Sequence, residues 1–172
     1  TVIWNIRVPR VLCAMLVGAG VSTSGALYQG LLKNPMVSPD ILGTTQAAAF
    51  GSAFGILMYF NFFEITLLSF SLGVISVFVT YNLSKIFRSD RILGLILTGM
   101  MIGSLFSSLI SFVKLVADTE NQLPSITYWL MGSLASVKMI DFKFIFFPIV
   151  IGLMVSNLYK IEINIFTMGE EE

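Results

Sequence analysis

Uncharged stretches dominate this chain, and they recur at about the length of a membrane span. No Asp, Glu, Lys or Arg falls within residues 11–32, 41–63, 65–84 or 92–113, and 144–159 forms a fifth, slightly shorter run. A helix needs about 20 largely apolar residues to cross the hydrocarbon core of a bilayer. The first four runs meet that length, and the fifth reaches it through its flanks. None carries the charged face that a helix keeps on the surface of a water-soluble core. Strands are unsuitable, because open sheet edges cannot sit in lipid and the runs exceed the length of a barrel strand. The pattern predicts spanning helices at 8–32, 41–60, 63–84, 91–115 and 141–160. A short helix near 126–134 is too small to span, and its Tyr128 and Trp129 suit the membrane interface. The expected class is all-α: a polytopic membrane helical bundle, with residues 1–172 as one transmembrane domain.

The first two predicted spans are separated by a polar break. In GALYQGLLKNPMVSPDILG, residues 25–43, Lys33, Asn34, Pro35, Ser38, Pro39 and Asp40 interrupt a sequence that is apolar on both sides. Pro35 and Pro39 are expected to end the first helix and set the turn. Asn34 is placed to satisfy local backbone groups, and Ser38 or Asp40 to cap the next helix. Small and weakly polar residues recur inside the spans. Gly18, Ser22, Gly25 and Gln29 follow at three- or four-residue spacing, and Gly51–Gly55 and Gly99–Gly103 are both GxxxG pairs. Ser104, Ser107, Ser108 and Ser111 follow the second pair. Such faces let helix backbones approach closely, and packing is the plain reading of the glycine pairs. Ser22, Ser24 and Gln29 are uncharged polar groups within a span, which suits the wall of a passage.

Composition narrows the chemistry. Of the 172 residues 56% are hydrophobic and only 12% charged, with a mean hydropathy of +0.88. There is no His, and Cys13 is the one Cys, so thiolate or imidazole ligation of a metal or cofactor has almost nothing to work with. No cofactor or metal site is expected. Ten Lys and Arg balance ten Asp and Glu, and their scatter argues against nucleic acid as a partner. No phosphate-binding loop of the GxxxxGK[ST] kind occurs, and no base stands beside an evident nucleophile, so an enzyme is not expected. Glu64, Asp118, Glu120 and Asp141 map to helix ends or loops, which removes the usual parts of a proton relay. If the chain transports, its energy enters from another subunit. The alternating loops put Lys33, Lys85, Arg88, Arg91 and Lys160 on one side, and Arg7, Arg10, Lys114, Lys138 and Lys143 on the other. The dense loop SKIFRSDR, residues 84–91, favours its own side as cytoplasmic.

The stretch RVPRVLCAMLVGAGVSTSGALYQGLLKNPMVSPDILG, residues 7–43, closely resembles the signature region of the FecCD/BtuC-type permeases. These are membrane subunits of ATP-binding-cassette importers for ferric siderophores, haem and cobalamin. Arg7, Pro9 and Arg10 match the first element of the family pattern, and Gly18, Ala19, Ser24, Gly25 and Gln29 the second. Asn34, Pro35, Pro39, Leu42 and Gly43 match the third. The likeness continues in RILGLILTGMMIGSLFSSLISF, residues 91–112, in YWLMGSLASV, residues 128–137, and in INIFTMGEE, residues 163–171. Met36-Val37-Ser38 departs from the usual Leu-Ala-Asp-like residues. Met100 and Met101 stand where the family has small residues, and Met168 where it has Leu. These departures bear on the solute more than on the class.

The resemblance implies a fragment of a ten-span importer permease, holding the second through the sixth span and not expected to transport as it stands. It implies a multi-pass protein of the cytoplasmic membrane, surrounded by lipid. The implied partners are a second permease copy, two cytoplasmic ATPase subunits and an extracellular or periplasmic solute-binding protein. Arg7 and Arg10 fall at the outer docking surface for that protein. Ser22, Ser24, Gln29 and Asn34 fall along the translocation pathway, and Gly169 and Glu170 lead into the ATPase contact. The implied cargo is a ferric siderophore or related chelate, with cobalamin or haem as the alternative. From a different class, an ion-coupled secondary transporter or a channel would call for charged groups in the spans or for inverted repeats, and neither is visible.

Overall fold

The computed structural model describes residues 3–86, 91–135 and 137–168. A π-helical turn, Ile3–Arg7, leads into α1, Val8–Leu31. There follow α2, Thr44–Leu57; α3, Phe62–Ser84; α4, Arg91–Val116; α5, Gln122–Met131; α6, Met139–Leu158; and α7, Lys160–Met168. No strand occurs among the described residues. Among the described residues four helices are long and apolar enough to cross a membrane: α1, α3, α4 and α6. The chain packs as two compact units. One joins the residues up to Pro39 with those from Ser133 onward, and the other is Asp40–Gly132.

In the unit Asp40–Gly132, α2 lies against α3, α4 and α5. Its 14 residues are fewer than the 20 expected from the sequence. The segment Asp40–Gly43 stays in turn conformation, and the helix starts only at Thr44. Its N-cap is Gly43, at φ +74°, in place of the Ser38 or Asp40 that the sequence suggested. Non-helical backbone is tolerated at membrane depth only where it is enclosed by protein. Leu42 is buried here, and the fully buried Thr80 of α3 donates its hydroxyl to the Leu42 carbonyl at 3.1 Å. From α4, Gly99 and Gly103 leave the space that Ile41, Leu42 and Gly43 fill. Both glycine pairs are therefore packing devices, since Gly51 and Gly55 meet α3 at Ser69 and Ile65.

The α2–α3 corner shows why α3 begins where it does. The Asn61 side chain accepts from the Glu64 backbone N–H at 3.1 Å, and the Glu64 carboxylate accepts from Asn61 N–H at 2.8 Å. This reciprocal cap satisfies two helix-end donors and holds the one carboxylate of α3 at its end. Helix α5 starts four residues earlier than expected. Pro124 falls in its first turn, where the missing N–H has no intrahelical partner to lose. Ile126 is fully buried with Ala53, Val113 and Ala117, so α5 is docked on α2 and α4 through its apolar side.

In the other unit α1 packs on α6. Arg10 lies beside Leu134 and Ala135, and Gly20 beside Ile149, so the two helices run parallel. Helix α1 does not end on a proline. Lys33 takes φ +49°, its N–H donates to Gly30, and Asn34 N–H donates to Gln29, both at 3.1 Å. This is a Schellman ending with a lysine where glycine is usual, and Pro35 follows it. A left-handed residue with a side chain costs about 1 kcal/mol relative to glycine. Lys33→Gly is therefore expected to stabilise the protein by about 1 kcal/mol, read as a higher unfolding midpoint in detergent. A midpoint at or below that of the parent would contradict this.

Candidate functional site

The polar groups of α1 divide between two faces. Ser24 turns toward α6 and lines a cavity of about 200 Å³ with Gly20, Leu27 and Ile149. Its hydroxyl is held at home, donating to the Val21 carbonyl at 3.0 Å. Ser22 and Gln29, seven residues apart, fall on the other face, and both are exposed. A Cβ on Gly18, at the head of that face, would meet nothing within 4 Å. The structure thus groups Ser22 with Gln29 and sets Ser24 apart.

Gln29 and Asn34 hold the turn that follows. The Gln29 amide Nε2 donates to the Val37 carbonyl at 3.4 Å, and the Asn34 side-chain oxygen accepts from Met36 N–H at 3.0 Å. Val37 N–H in turn donates to the Asn34 carbonyl at 3.3 Å. Val37 is buried while Met36 is 89% exposed, so the turn is anchored by Val37 and presents Met36 outward. Gly25 provides the seat for Pro39, whose ring a Cβ there would touch at 3.4 Å. A polar turn held by these bonds thus follows the end of the helix.

At the opposite end of α1, Arg7 and Arg10 differ in their engagement. The Arg10 guanidinium donates through Nε to the Leu134 carbonyl at 3.2 Å and through Nη2 to the Ala135 carbonyl at 2.8 Å. It ties the connection between α5 and α6 to the first turn of α1. Arg7 is exposed, and its side chain makes no hydrogen bond among the described residues. That clasp was beyond sequence reasoning, since 124 residues separate Arg10 from Leu134. The same connection is braced by the Asp141 carboxylate, which accepts from Lys138 N–H at 2.9 Å. Gly169 and Glu170 lie outside the described residues. Among the described residues no group of His, Cys, Asp and Glu could hold a metal ion.

Long apolar helices, an exposed polar face on one of them and a bonded turn at its end are the features of a helical membrane bundle. The chain belongs to the FecCD transport family, whose model matches residues 1–172. It is 35% identical over 171 residues to the molybdate import system permease protein MolB of Haemophilus influenzae, covering 99% of this chain and 51% of that protein. It is 30% identical over 172 residues to the cobalamin import system permease protein BtuC of Halobacterium salinarum, covering 99% of this chain and 46% of that one. A solved ABC transporter in an inward-facing conformation, described as of metal-chelate type, superposes with a TM-score of 0.90. That match is 35% identical and covers 99% of this chain and 54% of the other. The chain spans about half the length of the curated relatives it matches. It is an integral, multi-pass protein of the cell membrane.

Proposed function

We propose that this chain forms part of the transmembrane permease subunit of an ATP-driven importer that carries a ferric siderophore or related metal chelate into the cytoplasm. The observation that carries this reading is the TM-score of 0.90 to an ABC transporter described as of metal-chelate type, over nearly the whole chain. ATP hydrolysis belongs to two separate cytoplasmic ATPase subunits. A second permease copy completes the pathway, and a solute-binding protein delivers the cargo from outside. The exposed Ser22, Gln29 and Asn34 are suited to a pathway wall, because uncharged polar groups offer a passing solute no deep well. Ser24 faces α6 and is the weakest member of the set. Gly169 and Glu170 are assigned to the lead into the ATPase contact on the family resemblance alone.

A second cargo is favoured by a specific observation, the 35% identity to a molybdate permease. The test is uptake by vesicles that hold the full-length permease with its ATPase and binding protein. Labelled ferric siderophore, molybdate and cobalamin are offered in turn, with and without ATP. ATP-dependent accumulation of the ferric chelate supports the first reading. Accumulation of molybdate alone, or of cobalamin alone, reassigns the cargo. Accumulation without ATP, driven by an ion gradient, would end the importer reading.

The docking assignment for Arg7 and Arg10 gives a sharper expectation. Arg7 is free to meet a carboxylate on the binding protein, whereas Arg10 is already spent on two carbonyls. Arg7→Glu is expected to weaken docking about tenfold, equal to about 1.4 kcal/mol, and to leave the unfolding midpoint unchanged. Arg10→Glu is expected to weaken docking and also to loosen the segment after α5, seen as faster proteolysis there. Unchanged affinity in both variants would remove the docking role.

A further inference from the structure

The two cavities beside α1 are one groove. The first, of about 200 Å³, and the second, of about 360 Å³, share Thr23, Leu27, Leu153 and Ser156 as lining. The inner part is apolar, with Gly20, Leu27, Ile149 and Leu153, and Gly152 forms an open floor where a Cβ would meet nothing within 4 Å. The outer part carries Asn157, Lys160 and Asn164. Among the described residues these three side chains have no hydrogen-bond partner, and Lys160 is the one ionised group in the lining.

The length and polarity of the groove identify its occupant. Helix α6 has 20 residues, enough at about 1.5 Å each to cross the hydrocarbon core, so Leu158 and Tyr159 stand at its boundary and Lys160 just beyond. The lining on α1 runs from Gly20 to Leu27, about 10 Å, and on the α6 side it runs from Ile149 to Lys160, about 16 Å. The hydrocarbon depth of one leaflet is about 15 Å. A slot of one-leaflet depth, greasy inside and cationic at the headgroup level, matches a phospholipid. Lys160 offers three donors and the two Asn amides two each, and none of the four oxygens of a phosphodiester can donate in return. We propose that this groove binds one anionic phospholipid, with its phosphate between Lys160, Asn157 and Asn164 and one acyl chain along Gly152 and Leu27. A lipid with a choline headgroup sets a second cation beside Lys160 and fits less well.

The full-length permease, purified in mild detergent, is tested by native mass spectrometry with phosphatidylglycerol, with phosphatidylcholine of the same chains, and with inorganic phosphate. Wild type is expected to retain one phosphatidylglycerol at least tenfold more tightly than phosphatidylcholine, and to retain no phosphate. Lys160→Gln is expected to erase the preference between the two lipids. Gly152→Phe, which places a ring in open space, is expected to lower retention of both. Equal retention of the two lipids by wild type would overturn the headgroup assignment. Phosphate binding that survives Gly152→Phe would show an ion site without an acyl slot. No retained lipid, together with a lower unfolding midpoint for Gly152→Phe, would show that another part of the protein fills the groove. Each of these three outcomes sinks the proposal.

Discussion

Gly99→Ala is expected to destabilise the Asp40–Gly132 unit by about 3 kcal/mol or more, and Gly99→Leu to prevent its folding. In an exposed helix the same change to Ala would stabilise by about 1 kcal/mol, because alanine restricts the unfolded chain. The sign reverses here because of what the new methyl would meet. A Cβ on Gly99 would overlap the Ile41 carbonyl oxygen and crowd the Leu42 Cα at 3.1 Å. These are backbone atoms and cannot swing aside as a side-chain tip does. The strand of backbone they belong to is pinned from the other side by the Thr80 hydroxyl. Next to it Gly43, at φ +74°, lies where a Cβ would come within 3.0 Å of Gly103 N. Either α4 moves away from the Ile41–Gly43 turn or the turn is expelled, and expulsion exposes its polar backbone to apolar surroundings. Gly18→Ala is the control, since a Cβ there meets nothing within 4 Å. The unfolding midpoint in detergent should rise or stay level for Gly18→Ala and fall steeply for Gly99→Ala. Equal midpoints for the two variants would show that the Gly99 contact is not tight.

The class of the fold was legible because charge in a bilayer core is costly, so the spans advertise themselves as charge-free runs. Helix α3, predicted at 63–84, is found at Phe62–Ser84, bounded by an Asn61–Glu64 cap that lies within four residues of sequence. What escaped prediction depends on distant partners. Hydropathy carried the second predicted span back to residue 41, but Asp40–Gly43 stays unwound because Thr80 and the α4 glycines supply its contacts from 38 and more residues away. The end of α1 was attributed to prolines, yet the left-handed Lys33 ends it before Pro35 is reached. At the candidate site the sequence had no means of separating Ser22 and Gln29 from Ser24. That division depends on which face of α1 meets α6. The glycine motifs were ambiguous between packing and a pore wall, and only the atoms opposite each missing Cβ resolve that.

Loss of the Gln122 side-chain amide is expected to release α5 from α2 without unfolding the spans. Gln122 is only 7% exposed and makes two bonds in opposite senses. Its Nε2 donates to the Leu57 carbonyl at 3.0 Å, and its Oε1 accepts from Asp118 N–H at 3.1 Å. Leu57 is the last residue of α2, so its carbonyl has no partner within the helix. Gln122→Met keeps length and volume and removes both bonds. Two backbone groups in a poorly hydrated corner then lack partners, at a cost of about 1–3 kcal/mol each. Gln122→Glu keeps an acceptor for Asp118 and turns a carboxylate oxygen toward the Leu57 carbonyl, so as the ionised acid it should be no better than Met. Hydrogen exchange is the suitable measurement, because the effect is local opening rather than global unfolding. A loss of about 2 kcal/mol corresponds to exchange about 30-fold faster, and it should appear in peptides covering 117–131. Peptides from the middle of α3, remote from this corner, should exchange as before. The apolar seat of α5 around Ile126 is untouched in both variants, so Ile126→Ala provides the comparison for a packing defect alone. Unchanged protection across 117–131 in the Met variant would mean that Ile126 and its neighbours hold α5 by themselves.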